Sequence, residues 1–425
     1  MKPLRIGILA LLAFSVIAFG GVEPWARAVF ETGTALLFLY WAIVCYRRGT
    51  SRFHVPPLVL PLLVLCLLVL LQWVFRSTAS PFATRVELQL LLAEAFYLFL
   101  AVQSFRALRH WKTFVWFLMG FGFLVALFGI LQHLTFNGKL YWVRSLRFGG
   151  IPFGPYANRN HFACLMEMTI PLTLVPLAFG RIRRERQLLV GVFAIVQIGA
   201  LFLSASRGGI VSLSCQLLIL AFWLFSKRVR RSQMLAGGAV LLIALSLVYW
   251  LGADRILQRF SSMQSLEMTA GKRASMRLDT WHIFRDHPFF GTGLGTLPIV
   301  FPRYETNYDG KFVNHTHNDY LEALADTGIL GGLCCAWFLF ALFRAYFRRA
   351  RDSTLPPFIA ALNFSGFLAC VGFLIHGLVD FNLHIPANAT LFFLMAALAT
   401  AEISPEKNVP RSRPHDAQLV HTRIP

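Results

Sequence analysis

Twelve apolar runs alternate with short polar connections along most of this chain. They lie at roughly 5–21, 28–46, 56–75, 86–105, 114–134, 162–180, 187–204, 209–226, 234–251, 328–347, 357–380 and 386–402. About 20 apolar residues cross a bilayer. Backbone polar groups in lipid have to be satisfied within the segment, so the runs predict helices. Composition agrees, because only 14% of residues are charged against about a quarter in a soluble chain. The expectation is a polytopic all-α membrane domain over 1–402, followed by a disordered polar tail at 403–425. The first run follows Met1-Lys2-Pro3-Leu4-Arg5 and is read as an uncleaved span, since no small-x-small cleavage site follows it.

Charge tests this count. With the N-terminus inside, 24 of the 40 Lys and Arg fall in the inside connections and the two termini. Twelve of the remaining 16 fall in two outside loops, 135–160 and 252–327. Every short inside connection is basic and the short outside ones are not, which is the positive-inside pattern. A net charge of +20 therefore sets topology and favours anionic lipid; the basic residues form no single patch of the kind that binds nucleic acid. The seven cysteines all lie in apolar runs without metal-like spacing, so they read as small buried residues.

The 252–327 loop is about 75 residues long, and long loops are usually functional. Met276, Trp281 and Phe284 predict a helix over Arg273–Asp286, ended by His287-Pro288. A second short helix is expected over Asn318–Asp326, capped by Thr316 or Asn318, with Gly328 leading into the tenth span.

Groups able to move protons concentrate in Asn314-His315-Thr316-His317-Asn318-Asp319-Tyr320-Leu321-Glu322. Solvated loop histidines are one reading. Metal ligation is another, but His-x-His-x-Asp is followed by Tyr320 rather than a further His. The third is a general base, an imidazole oriented by a carboxylate such as Asp319 or Glu322. Arg207 stands between two apolar runs on the outside face, where an arginine costs a few kcal/mol and needs a partner or a task. Flanking Ser and Gly allow an anion to approach closely, and a guanidinium matches a pair of phosphate oxygens. Arg273 and Arg277 share one helical face, with Arg285 following; a solvated basic face is the plainer reading. Gly291-Thr292-Gly293-Leu294-Gly295 lacks a strand–loop–helix setting and reads as a turn at the membrane surface. His376, Asp380 and their neighbours up to Asn388 either tie helices together or line the same outside face.

Together these pieces resemble the O-antigen ligase and polymerase superfamily. The similar segments are His315–Gly332, Ser204–Gly209, Arg277-x-x-x-Trp281 with Asp286–Gly295, and Phe153–Ala163. The resemblance implies a GT-C-like integral membrane protein of about 12 transmembrane helices, with one large periplasmic loop at 252–327 containing short helices. It also implies location in the bacterial inner membrane, with both termini cytoplasmic. The implied reaction is inverting transfer of a glycan from undecaprenyl diphosphate to an acceptor hydroxyl, on lipid A core or a similar acceptor. Polymerisation of lipid-linked repeat units is the alternative within the family, and a transporter or flippase is the alternative of another class. Carried over by position, His317 would be the catalytic base, and Arg207 and Arg277 would bind the diphosphate, with no metal or cofactor required. Arg147, Asn160, Arg273, Arg285, His315, Asn318, Asp319, Glu322, His376 and Asp380 are the expected substrate-binding residues. The partners implied are the lipid-linked donor, the glycan acceptor and membrane lipids, without nucleic acid.

Overall fold

A computed structural model describes residues 2–49, 55–146, 151–226, 238, 242, 243, 246, 263–308 and 310–403. Its helices are α1 (Lys2–Ile17), α2 (Pro24–Arg47), α3 (Val59–Val74), α4 (Pro81–Ser104), α5 (Leu108–Leu134), α6 (Arg159–Ala178), α7 (Arg184–Leu203) and α8 (Arg207–Ser226). Then come α9 (Met263–Asp286), the short α10 (Leu297–Val300), α11 (Asp319–Ala350), α12 (Pro357–His376) and α13 (Pro386–Thr400). No strand occurs among the described residues. Eight of these helices are long and apolar enough to cross a membrane, and α3 and α13 are apolar but shorter. Among the described residues the chain is all-helical, with the long apolar helices of a multi-pass membrane protein. The ninth apolar run and the expected tail lie outside the described residues, apart from a few positions in the run and Ile403.

The outward faces are apolar, as lipid requires. Leu188 is 80% exposed and Phe222 75% exposed, and a soluble protein rarely shows so much contiguous apolar surface. The centre of the bundle is α6, almost entirely buried and packed against α12, α7, α5 and α8. Pro171 lies inside α6 and has no N–H, so the carbonyl of Glu167, four residues earlier, loses its helical donor. Gln216 of α8 repairs this. Its Nε2 donates to Glu167 O at 2.9 Å and to Leu368 O of α12 at 2.8 Å. One buried amide thus ties three helices at the point where a proline would otherwise leave a polar gap in the membrane.

The connections read as outside gather at one end of the bundle. Ala79 N donates to Thr292 O at 2.7 Å, and Arg144 pairs with Glu23. Tyr156 Oη donates to Asn388 Oδ1 at 2.9 Å, and Arg273 Nη1 donates to Val379 O at 3.1 Å. At the other end Arg5 reaches Ser104 O and Arg349 reaches Ala401 O. The parity read from charge is thus reproduced by the contacts.

Two features of the late loop refine the expectations. First, as expected, a short helix starts at its Asn318 cap and Gly328 leads into the tenth span: α11 is two helical segments meeting at Gly328 (φ 64°, ψ −168°). The break frees backbone groups, and the loop after α9 docks onto them: Ile329 N donates to Pro288 O at 2.8 Å, and Thr292 N donates to Ala325 O at 2.9 Å. A Cβ on Gly328 would lie 2.2 Å from Phe289 O. The glycine-rich stretch is therefore a docking turn. Secondly, α9 buries Met276, Asp279, Thr280 and Ile283, while Trp281 is exposed. Met276 and Ile283 pack with Leu297, Val300, Phe301, Val313 and Ala325. The deciding periodicity runs through Asp279, whose carboxylate accepts from Thr306 N and Oγ1. The helix expected over Arg273–Asp286 is present and ends at Asp286; a polar residue with partners can be buried, so apolar spacing alone does not reveal its inner face.

Candidate functional site

The segment before α11 is clamped against the segment after α12. Asn318 caps α11 by accepting from Leu321 N at 2.9 Å, and its Nδ2 donates to Leu378 O at 3.0 Å. Asp319 N donates to Gly377 O at 2.9 Å, while the Asp319 carboxylate accepts from Leu383 N. His317 lies between these anchors in the left-handed region, at φ 52°. A non-glycine residue there is held by its surroundings, and such strain clusters at functional sites.

The clamp brings His317 Nδ1 to 3.2 Å from Asp380 Oδ1. Asp380 is fully buried and also accepts from Asn160 Nδ2 and Phe381 N. His161 Nε2 stands 3.7 Å away. Burial alone would raise the Asp380 carboxyl, but the neighbouring His161 and His317 imidazoles hold it well below the usual carboxylate range. An ionised carboxylate can only accept. His317 Nδ1 is therefore the donor in this contact, and in the neutral ring Nε2 holds the lone pair.

Three arginines lie within electrostatic reach of one another near this pair. Arg207 begins α8, directly after Ala205 at φ 50° and Ser206. Gly208 packs against α12 so closely that a Cβ would lie 2.6 Å from His376 Nε2 and 3.1 Å from Val379 Cγ2. Arg273 holds the Val379 carbonyl, and Arg277 Nε donates to Arg273 O at 3.1 Å. Burial lowers the Arg273 guanidinium from its ordinary value, with Asp380 opposing the shift and Arg277 and Arg207 adding to it. These four charges form one electrostatic group.

A second imidazole–carboxylate cluster lies on the opposite flank of Phe381. His315 Nδ1 is 2.7 Å from Glu322 Oε1, and His384 Nε2 is 3.2 Å from the same oxygen. Thr316 N holds the other Glu322 oxygen at 3.1 Å. The Phe381 ring stacks on His315 at 4.3 Å between centroids and meets His317 at 5.0 Å and His161 at 4.8 Å. Burial would lower His315, but Glu322 raises it above the ordinary histidine value; His384 is lowered, mainly by burial. A cavity of about 600 Å³ opens here, lined by His315, His384, Arg273, Asn160, Arg27 and Glu87 among others. Among the described residues, two groups have ligand atoms close enough to share a cation: His315, Glu322 and His384, and the fully buried Cys164, Glu167 and His376. In both, the imidazole Nδ1 is already hydrogen-bonded to the carboxylate.

Several expected residues therefore take unexpected parts. Neither Asp319 nor Glu322 reaches His317; Asp319 fastens the Leu383 backbone, and Glu322 serves His315 and His384. The carboxylate on His317 comes from Asp380, 63 residues away. Asn318 is a helix cap. His376 is 1% exposed and bonded to Glu167, inside the bundle rather than on the cavity wall. Arg285 is exposed beside Asp286, away from the other arginines. Arg147 lies outside the described residues. Sequence reasoning missed Glu167, and it singled out the stretches holding His161, Phe381 and His384 without giving these residues individual roles. A carboxylate within the sixth apolar run was the available signal for Glu167, because such a residue needs a partner.

No curated protein matches the chain. Residues 192–336 match the family described as O-Antigen ligase; this segment holds Arg207, Arg277 and His317, and the match supports the resemblance to the O-antigen ligase and polymerase superfamily.

Proposed function

We propose that the chain is an inverting glycosyltransferase that moves a glycan from undecaprenyl diphosphate to an acceptor hydroxyl at the periplasmic face of the inner membrane. The observation that carries this reading is the 3.2 Å contact between His317 Nδ1 and Asp380, with Arg273 close enough to Asp380, Arg277 and Arg207 to feel the charge of each. His317 Nε2 takes the proton of the acceptor hydroxyl. The acceptor oxygen attacks the anomeric carbon from the face opposite the diphosphate. The bond from that carbon to the diphosphate oxygen breaks, and its electron pair stays on the phosphate. Arg207, Arg273 and Arg277 meet the charge that develops there. The Asp380 carboxylate stabilises the imidazolium until its proton passes to water.

The arrangement supports about twelve spans in a GT-C-like order, both termini cytoplasmic and 252–327 as the periplasmic working loop. His317, Asp380 and the arginines meet at the end opposite the basic connections, and positive charge marks the cytoplasmic side. The test is transfer by purified protein in nanodiscs, read as undecaprenyl diphosphate released from a glycan-loaded donor. Wild type is expected to release it, and His317→Ala to do so about 10²–10⁴-fold more slowly, the usual contribution of a general base. Equal rates in the two proteins would overturn the assignment of the base, and no release by wild type with any glycan donor would overturn the activity.

A further inference from the structure

A second cavity, of about 340 Å³, lies between α3, α4, α11, α12 and α13. It follows α11 from Asp319 to Leu339 across the break at Gly328, a path of at most about 30 Å at ~1.5 Å per residue. That is close to the thickness of a hydrocarbon core. Leu62, Leu90, Leu324, Phe338, Phe373 and Phe393 form much of its wall. A volume this small drawn out over this length is a slot for one chain.

The slot is continuous with the site. Glu87 and His384 line both the slot and the 600 Å³ polar cavity. An amphiphile lying in the slot would therefore present its polar end beside His384, on the flank of Phe381 that also carries His315.

The charge of the slot restricts that amphiphile. Among the described residues its wall carries the carboxyl groups of Glu87, Glu94, Asp319 and Asp326 with His384, and no Lys or Arg. Arg27 reaches Glu87 at 2.8 Å from the polar side, where it also faces Glu31. A phosphate within the slot would face these carboxyl groups; Arg27, Arg159 and Arg273 line the polar cavity beyond its mouth, and Arg207 and Arg277 line neither. Glu94 is buried and its Oε1 has no hydrogen-bond partner among the described residues. It lies two turns along α4 from Glu87. A carboxyl group so placed suits a hydroxyl or ether oxygen, not an anion.

We infer that the slot holds the single hydrocarbon chain of an uncharged, hydroxyl-bearing glycolipid, which enters sideways from the membrane and serves as the acceptor. Its role as acceptor rests on the transferase reading; its binding does not. The donor's diphosphate is left to Arg207 and Arg277, which line neither cavity.

The test is photolabelling of the full chain in phosphatidylcholine nanodiscs with three diazirine-bearing probes: a single-chain isoprenyl glucoside, a polyprenyl diphosphate and a phosphatidylcholine. The glucoside is expected to label the α4 and α11 peptides that line the slot at least tenfold more strongly than either other probe. Ala323→Trp, which fills the slot, should reduce that labelling at least tenfold, and Glu94→Leu should reduce it while Glu94→Gln retains it. Stronger labelling by the diphosphate would make a lipid-linked repeat the occupant. Equal labelling by phosphatidylcholine would make the slot an ordinary bilayer contact. Either result, or labelling by none of the three, overturns the inference on wild type alone, whatever the variants do. Because labelling needs no turnover and should persist in His317→Ala, its failure is separable from failure of the transfer assay.

Discussion

His317 Nδ1 lies 3.2 Å from Asp380 Oδ1, although 63 residues of chain, including two membrane helices, separate them. The contact sets which imidazole nitrogen carries the proton and leaves Nε2 free to act. Asp380→Asn keeps the shape and removes the charge that stabilises the protonated ring. We expect kcat to fall about a hundredfold, the lower end of what a general base contributes, with the donor KM little changed. Steady-state transfer kinetics check this; an unchanged kcat would mean that the carboxylate only supports the loop.

The buried pair between His376 Nδ1 and Glu167, at 3.1 and 3.2 Å from the two oxygens, should behave as a structural tie. Both side chains are nearly inaccessible, so Glu167→Leu alone strands a polar partner and should cost about 3–5 kcal/mol. Replacing both residues by leucine should cost less than the single change. Unfolding in detergent, followed by thermal melting of the two variants, checks the order.

His315 should make stability depend on pH. Its pKa is raised in the folded chain by Glu322, so the folded state holds that proton more tightly than the unfolded one. The stabilisation is fully present below the ordinary histidine value of about 6.5. It is lost as pH rises through the higher folded value. The melting temperature of wild type should therefore exceed that of His315→Leu most at acidic pH, and the gap should narrow towards alkaline pH. A gap that widens with pH would show that the imidazole is not the proton-holding partner.

Gly328 stands at the break in α11 with φ 64° and ψ −168°, a region that essentially only glycine occupies. Gly328→Ala adds a methyl group that would lie 2.2 Å from Phe289 O. The backbone term alone costs about 1–3 kcal/mol, and the clash adds to it. We expect lower thermal stability, together with faster proteolysis of the loop between Pro288 and Gly295.

Much of this architecture was legible because the bilayer imposes simple rules. Eleven of the twelve apolar runs coincide with a helix, and charge parity anticipated which connections share an end. The clustering of His315 and His317 was legible from density alone. The partner of His317 was not, because proximity in sequence pointed to Asp319 and Glu322, whereas packing of α12 against α6 delivers Asp380. Glu167 and Gln216 were equally hidden. Their task follows from Pro171 and from His376, and which helices meet is decided by tertiary packing, not by hydropathy. The burial of Asp279 on α9 was not legible, because it depends on a partner, Thr306, that lies 27 residues away.

The central claim is that Arg207, Arg273 and Arg277 converge on one lipid diphosphate beside His317. The most direct test is the affinity of purified protein for undecaprenyl diphosphate, the released product, in wild type, Arg207→Ala, Arg277→Ala and His317→Ala. We predict that each arginine variant weakens binding at least about tenfold, or about 1.4 kcal/mol, while His317→Ala binds as wild type does. Arginine variants that bind as tightly as wild type would contradict the account.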